Sequence, residues 1–208
     1  MKKIAVIDYG FGNLKSVLNA LNFLGAQGTL VTEAGKISAF DGAILPGVGA
    51  FAPAAQFLSD KNFDSAILDY VKSGKMLYGI CLGFQLFFTK SYENGRSNGL
   101  NIVCGEVKKF ESGIEKLKVP HIGWNSVEFA KTDGAKKMFD GIENGADFYF
   151  VHSYYGSLQN KEQTSSFCKY GVEFCSSICF DNVWGSQFHP EKSGKFGLKV
   201  LENFIREV

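Results

Sequence analysis

The first half of the chain alternates strand-length apolar runs with helix-periodic segments, and this alternation restricts the fold more than any other feature. KIAVID (3–8) reads as a buried strand. NLKSVLNALNFLG (13–25) then sets Leu14, Val17, Leu18, Leu21 and Leu24 on one helical face and stops at Gly25. GAIL (42–45) is a short strand ended by Pro46-Gly47, and FDSAILDYVKSG (63–74) is a helix with Ile67, Leu68 and Val71 inward. MLYGI (76–80) is a further strand, and LGFQLFFTKSY (82–92) reads as the helix after it. Strand, helix, strand, helix predicts an α/β fold: a doubly wound mixed, mostly parallel sheet with flanking crossover helices.

The second half changes character. IVCGEVKKF, NSVEFA, DFYFVHSYY, SSFCKYGVEFCSSICF and VWGSQF are strand-like, with Gly and Asn/Asp turns between them, so an additional antiparallel strand-rich portion is expected. A final amphipathic helix near 193–206 carries Phe196, Val200, Leu201, Phe204 and Ile205. No linker, internal repeat or low-complexity segment interrupts the pattern, and residues 1–208 are read as one domain.

Charge argues against several function classes. The 22 basic and 21 acidic residues nearly cancel, and no run of five like charges occurs, so neither nucleic acid nor a membrane surface is expected as a partner. Only about five apolar residues separate the N-terminal lysines from Asp8, too few for a signal peptide. No apolar run approaches the roughly 18 residues that span a bilayer, and the chain reads as cytoplasmic. Its five cysteines are an odd set for a disulfide framework. Cys175 and Cys179, four apart in FCSSICF, would share one face of a strand about 13 Å apart, too far to chelate one ion. They are read as structural, with no metal site and no cofactor.

Chemistry concentrates at Gly79-Ile80-Cys81-Leu82-Gly83, where a strand hands over to a helix. This is the G-x-nucleophile-x-G layout of a nucleophile elbow, with Cys in place of Ser. Its glycines permit a tight turn that strains the nucleophile's backbone and lifts the side chain above the carboxyl end of the sheet. The helix N-terminus favours the thiolate, and the Leu82 N–H is placed to receive an oxyanion. A buried Cys in a Gly-flanked turn is the competing reading, and a base must decide between them.

Three histidines are available. His121 in VPHIGWN reads as structural, and His152 in YFVHSYY is undecided. His189 in SQFHPEKSG follows a strand, is restricted by Pro190, and has Glu191 two residues on to hold its other ring nitrogen. Cys81, His189 and Glu191 would make a thiol triad. Gly10-Phe11-Gly12 after the first strand suggests a dinucleotide fingerprint, but Lys15 stands where the third glycine is required, and nucleotide binding is rejected.

GICLGFQ together with FHPEKSG resembles the class I, triad-type glutamine amidotransferases, whose sheet is flavodoxin-like. IDYGFGNLKSV, ILPGVGAF, VPHIGWN, FYFVHSYY and GSQFHPEKSGKFGL are similar to the glutaminase subunits of imidazole glycerol phosphate synthases, over essentially the whole chain. The resemblance implies that Cys81 forms a thioester with glutamine, His189 moves the protons and Glu191 steadies the imidazolium. It implies an oxyanion hole from Leu82 and Val48, the latter after a peptide flip in Pro46-Gly47-Val48-Gly49. Glutamine would be held by Gly49, Gln85, Glu93, Ser153 and Tyr154. Asn13, Pro120, Trp124, Asn125, Tyr149 and Lys192 would face a (β/α)8 cyclase/synthase subunit in a heterodimer. In isolation Tyr149 reads as core, and Glu93 as a solvated carboxylate. Ammonia would pass to that partner in histidine biosynthesis. A paralogue serving another synthase, such as one forming an amidino sugar, and a non-catalytic regulatory scaffold are the alternatives. Residues 156–183 match only loosely and carry no assigned chemistry.

Overall fold

The computed structural model describes residues 1–111 and 117–208. The chain runs β1 (Lys3–Ile7), α1 (Leu14–Phe23), β2 (Gln27–Val31), β3 (Gly42–Gly47), α2 (Phe51–Asp60), α3 (Phe63–Lys72), β4 (Met76–Cys81) and α4 (Leu82–Gln85). It continues through β5 (Phe88–Ser91), β6 (Ser97–Asn98), β7 (Val103–Lys109), β8 (His121–Ser126), β9 (Glu128–Phe129) and α5 (Asp133–Met138). The last third holds β10 (Asp147–His152), β11 (Tyr154–Leu158), β12 (Thr164–Tyr170), β13 (Val172–Phe180), β14 (Val183–Ser186) and α6 (Gly194–Glu207).

An eight-stranded sheet in the order β2-β1-β3-β4-β14-β13-β12-β9 forms the centre. Its β2-to-β14 half is parallel and its β14-to-β9 half antiparallel. Alternate residues feed opposite layers, as the two-residue period of a strand requires. Ile4, Val6, Ile44 and Tyr78 pack toward α1 and α6, whereas Ala5, Ile7, Leu45 and Leu77 pack toward α2 and α3. The four-stranded sheet β11-β7-β5-β6 and the two-stranded antiparallel sheet β10-β8 add the strand-rich portion. Among the described residues no helix is long and apolar enough to cross a membrane.

The structure corrects four local expectations. LGFQLFFTKSY is not one helix: a single turn ends at Gln85, and Phe88–Ser91 is β5. Pairing with β7 satisfies the backbone there, and the Phe88 ring fills the space above Gly156 and Gly105 that a side chain on either would occupy. The strand GAIL does not end at Pro46; it continues to Gly47 because Pro46 pairs with Ile80 in the parallel ladder. In α3 the buried residues are Phe63, Ile67 and Tyr70, while Leu68 and Val71 are half-buried. Cys175 and Cys179 do not share a face. A β-bulge sets both Ser176 and Ser177 against Ser166, at 2.7 and 2.5 Å between hydroxyls, and shifts the pleat by one residue. Cys175 therefore joins one layer and Cys179 the other. Burial raises both thiols to about 12, so they persist as thiols at neutral pH.

On the α6 face, Phe204 is fully buried and packs on Tyr78 and Trp184, at 5.3 and 5.7 Å between ring centroids. Phe204→Ala is expected to cost about 3–5 kcal/mol of stability, read from the shift of the urea midpoint, because rigid strands beneath it cannot collapse into the void.

Candidate active site

Strand β4 ends at Cys81, whose φ of 55° and ψ of −108° lie outside the regions open to ordinary L residues. Close packing on either side imposes this. A Cβ on Gly79 would meet the Phe87 ring and the Phe84 backbone, and one on Gly83 would overlap the Leu45 carbonyl of β3. The chain must reverse within a residue, which leaves the sulfur at the carboxyl edge of the sheet. Because α4 is one turn long, its dipole adds little, and the neighbouring Leu82 amide is the backbone donor of interest.

Strand β14 lies parallel to β4 with Ser186 beside Ile80, so the residues after it reach the sulfur. The His189 N–H donates to the Tyr149 carbonyl at 2.9 Å, which ties this arm to β10. Pro190 opens a short 3-10 turn, Pro190–Lys192, that folds Glu191 back onto the ring. The His189 Nδ1 meets Glu191 Oε1 at 2.9 Å, with the two side chains 2% and 1% exposed. Nε2 is buried and faces the Cys81 sulfur. Burial disfavours a charged imidazole there, but the adjacent Cys81 sulfur and the Glu191 carboxylate outweigh it and raise His189 to about 10.

The sulfur opens on a cavity of about 400 Å³, within the range of small-molecule pockets. Val48 and Leu82 border it beside Cys81, and Gly49, Gln85, Glu93, Ser153 and Tyr154 all line it. Glu93 Oε2 accepts from the Phe51 N–H at 2.7 Å, so this carboxylate is anchored at the start of α2 rather than solvated at random. Cys81, His189, Glu191 and the whole expected glutamine set are thus brought to one place.

Residues 5–208 match the family model described as glutamine amidotransferase class-I. The chain belongs to the class-I glutamine amidotransferases. It is 50% identical over 204 residues to the imidazole glycerol phosphate synthase subunit HisH of Moorella thermoacetica, covering 98% of this chain and 94% of the relative. The subunit of the same name from Methanosarcina barkeri is 42% identical over 207 residues, with 99% and 98% covered. A chain in the structure of PurLQS from Thermotoga maritima superposes with a TM-score of 0.77 at 20% identity, covering 100% and 99%, and shares the fold.

The expected partner residues of this amidotransferase divide. Pro120 and Lys192 reach the rim of the cavity. Trp124 is 58% exposed and meets Tyr149 edge-on across the β8–β10 ladder, while the Lys192 ammonium lies over the Tyr149 ring. Tyr149 is half-buried on this face and not a core residue. Asn13 stands at the start of α1, the helix that packs against the turn carrying Lys192.

His121 and His152 form a buried pair whose hydrogens can be placed. The Tyr154 carbonyl only accepts, so His152 Nδ1–H donates to it at 2.8 Å. His152 Nε2 then accepts from His121 Nδ1–H at 3.0 Å, and His121 Nε2 from the Asn125 amide at 3.3 Å. His121 stacks between Tyr170 and Phe150. The undecided His152 therefore lines the cavity as a neutral donor to pocket backbone.

Two residues outside the expected set border the sulfur. The Tyr9 hydroxyl is buried without a partner among the described residues and touches Gly47 where a Cβ would lie. Burial and the nearby Cys81 keep it protonated. Gln187 donates from Nε2 to Cys81 Sγ at 3.7 Å. It lies just past the end of β14, two residues before His189, where no spacing rule of the sequence singles it out.

Burial holds His121 at about 4 and His152 at about 3, below the 6.5 of a free imidazole. Between pH 6.5 and 3 the unfolded chain binds more protons at these positions, so stability falls as pH drops through that window. His152→Gln is expected to flatten this acid limb in urea midpoints measured against pH. An unchanged slope would show that the pair is not neutral when folded.

Proposed function

We propose that this amidotransferase, acting as one domain, is the glutaminase subunit of an imidazole glycerol phosphate synthase. The observation that carries the reading is the buried His189–Glu191 pair behind a strained Cys81 at the mouth of the cavity. High identity to subunits named for that synthase supports the assignment of pathway.

In this mechanism the Cys81 thiolate attacks the side-chain amide carbon of glutamine. The carbonyl oxygen becomes an oxyanion received by the Leu82 N–H and, once the Gly47–Val48 peptide turns, by the Val48 N–H. His189, as imidazolium, protonates the departing nitrogen, the C–N bond breaks, and ammonia and a glutamyl thioester result. Neutral His189 then takes a proton from water, hydroxide adds to the thioester, and glutamate leaves as the sulfur is released. Glu191 positions the ring and balances its charge throughout. Gly49, Gln85, Glu93 and the Ser153–Tyr154 backbone hold the amino-acid end of the substrate, with Glu93 opposite its ammonium.

Ammonia in bulk water is mostly ammonium and non-nucleophilic, so the product should pass straight to an acceptor site. A (β/α)8 cyclase subunit docked on the Trp124–Tyr149 face, with Asn13, Pro120, Asn125 and Lys192 at its border, would receive it in the cytoplasm and consume it in forming imidazole glycerol phosphate and the aminoimidazole carboxamide ribotide. Exposed Trp beside Tyr is the composition of an interface anchor.

The test is a glutaminase assay with and without the cyclase loaded with acceptor nucleotide. Turnover is expected to rise on addition of the loaded partner and to disappear in Cys81→Ser. A 6-diazo-5-oxonorleucine adduct is expected on Cys81 by mass spectrometry, and a label on another cysteine would refute the mechanism. Trp124→Ala should weaken partner stimulation by roughly tenfold or more without moving the thermal midpoint.

A further inference from the structure

We propose that Gln187 is a catalytic residue of this site: its side-chain N–H donates to the Cys81 sulfur and holds the thiolate for attack, in an orientation that the Tyr154 carbonyl imposes. The inference rests on the glutaminase reading for its role in turnover, but the donation itself is argued from geometry alone.

The direction of each bond follows from one acceptor. The Tyr154 carbonyl oxygen receives Gln85 Nε2 at 2.9 Å on one side and His152 Nδ1 at 2.8 Å on the other. The Gln85 nitrogen, and not its oxygen, must therefore face that carbonyl. Its second N–H goes to Gln187 Oε1 at 2.9 Å. With the Gln187 oxygen so occupied, its nitrogen is left facing Cys81 Sγ at 3.7 Å. Turning the Gln187 amide over would set two NH₂ groups against each other and an oxygen against the sulfur. Turning Gln85 over would set two oxygens together at Tyr154. Neither alternative is available in a site where Gln187 is wholly buried and Gln85 nearly so.

Register explains why the amide is there. Ser186 pairs with Ile80, and Gln187, held by its own N–H to the Ser176 carbonyl at 2.9 Å, comes next beside Cys81. The sulfur thus meets two groups, the Gln187 amide and the His189 ring, and only the amide is a permanent donor. The division of labour is chemical. His189 gives its proton away during acylation and takes another during deacylation, so it cannot neutralise sulfur throughout. An amide N–H does not ionise and remains a donor whenever sulfur carries charge, both before attack and as it leaves the thioester. A donor to an ionised acceptor is worth about ten- to a hundredfold in an equilibrium or rate.

The experiment uses the full chain and three variants. Gln187→Met removes the donor at similar volume. Gln187→Glu keeps the acceptor for Gln85 but sets a carboxylate against the sulfur. Gln85→Leu leaves Gln187 in place but frees its amide to turn, without touching sulfur. The readouts are the rate of iodoacetamide alkylation of Cys81 at pH 7 by peptide mass spectrometry, and the 240 nm thiolate absorbance relative to Cys81→Ser. For Gln187→Met, alkylation is expected to fall about tenfold, the thiolate absorbance to fall with it, and kcat to drop by roughly ten- to a hundredfold with KM within about twofold. Gln187→Glu should lose more, and Gln85→Leu an intermediate amount of alkylation. A folded Gln187→Met protein with wild-type alkylation and kcat overturns the proposal. If that variant does not fold, wild-type alkylation of Gln85→Leu overturns it instead. Alkylation needs no glutamine, so a chain that never hydrolyses glutamine, even with the loaded cyclase present, yet shows the expected losses refutes the glutaminase reading and leaves this inference standing.

Discussion

The parallel pairing of β14 with β4 is the contact on which the site depends. The two strands are neighbours in the sheet although about a hundred residues lie between them, and their register sets Gln187 and His189 beside Cys81. The intervening chain builds β10 and β11, whose Val151, His152 and Tyr154 wall the cavity, before it returns to the sheet. Closing so long a loop costs conformational entropy that grows only slowly with its length. Burial of Trp184, Phe188 and their neighbours against the sheet offsets that cost.

A second dependence is between strain and packing. Cys81 holds a backbone conformation worth on the order of 1–3 kcal/mol of strain, which persists only where the surroundings over-determine it. Here they do so through Gly79 under Phe84 and Phe87, and Gly83 against the Leu45 carbonyl. The buried His189–Glu191 pair adds a second cost, that of desolvating two charges, which their mutual bond and the adjacent sulfur counter. The histidines of the neighbouring pair meet the same low-polarity surroundings, the positive charge of His189 also repels one on His152, and both are held neutral. One environment thus yields a protonatable imidazole and two unprotonated ones, according to what faces each ring.

Much of this was legible in the order of residues. Strands β1 and β4, helices α1, α3 and α6, the elbow and the His-Pro-Glu arm announce themselves through apolar period and glycine spacing. What escaped did so for definable reasons. Strand β2, Gln27–Val31, is a sheet edge in which Val31 is the buried residue, so it shows no apolar period. Helix α4 and strand β5 share one apolar run, and the break at Gln85 is decided by pairing with β7, a contact remote in sequence. The bulge at Ser176 and Ser177 shifts the facing of every later residue of β13, which no count of spacing could anticipate. Gln187 was visible but mute: a glutamine near a strand end acquires meaning only once register sets it against sulfur.

The bond from the His189 amide to the Tyr149 carbonyl has a consequence for how such a molecule can change over time. Both atoms belong to the main chain, so replacing either side chain leaves the bond available. Tyr149, Trp124 and Lys192 can vary and reshape the exposed β8–β10 face, while the strut between that face and His189 keeps its length. The chemistry of that face and the placing of the imidazole are, in this architecture, separately adjustable.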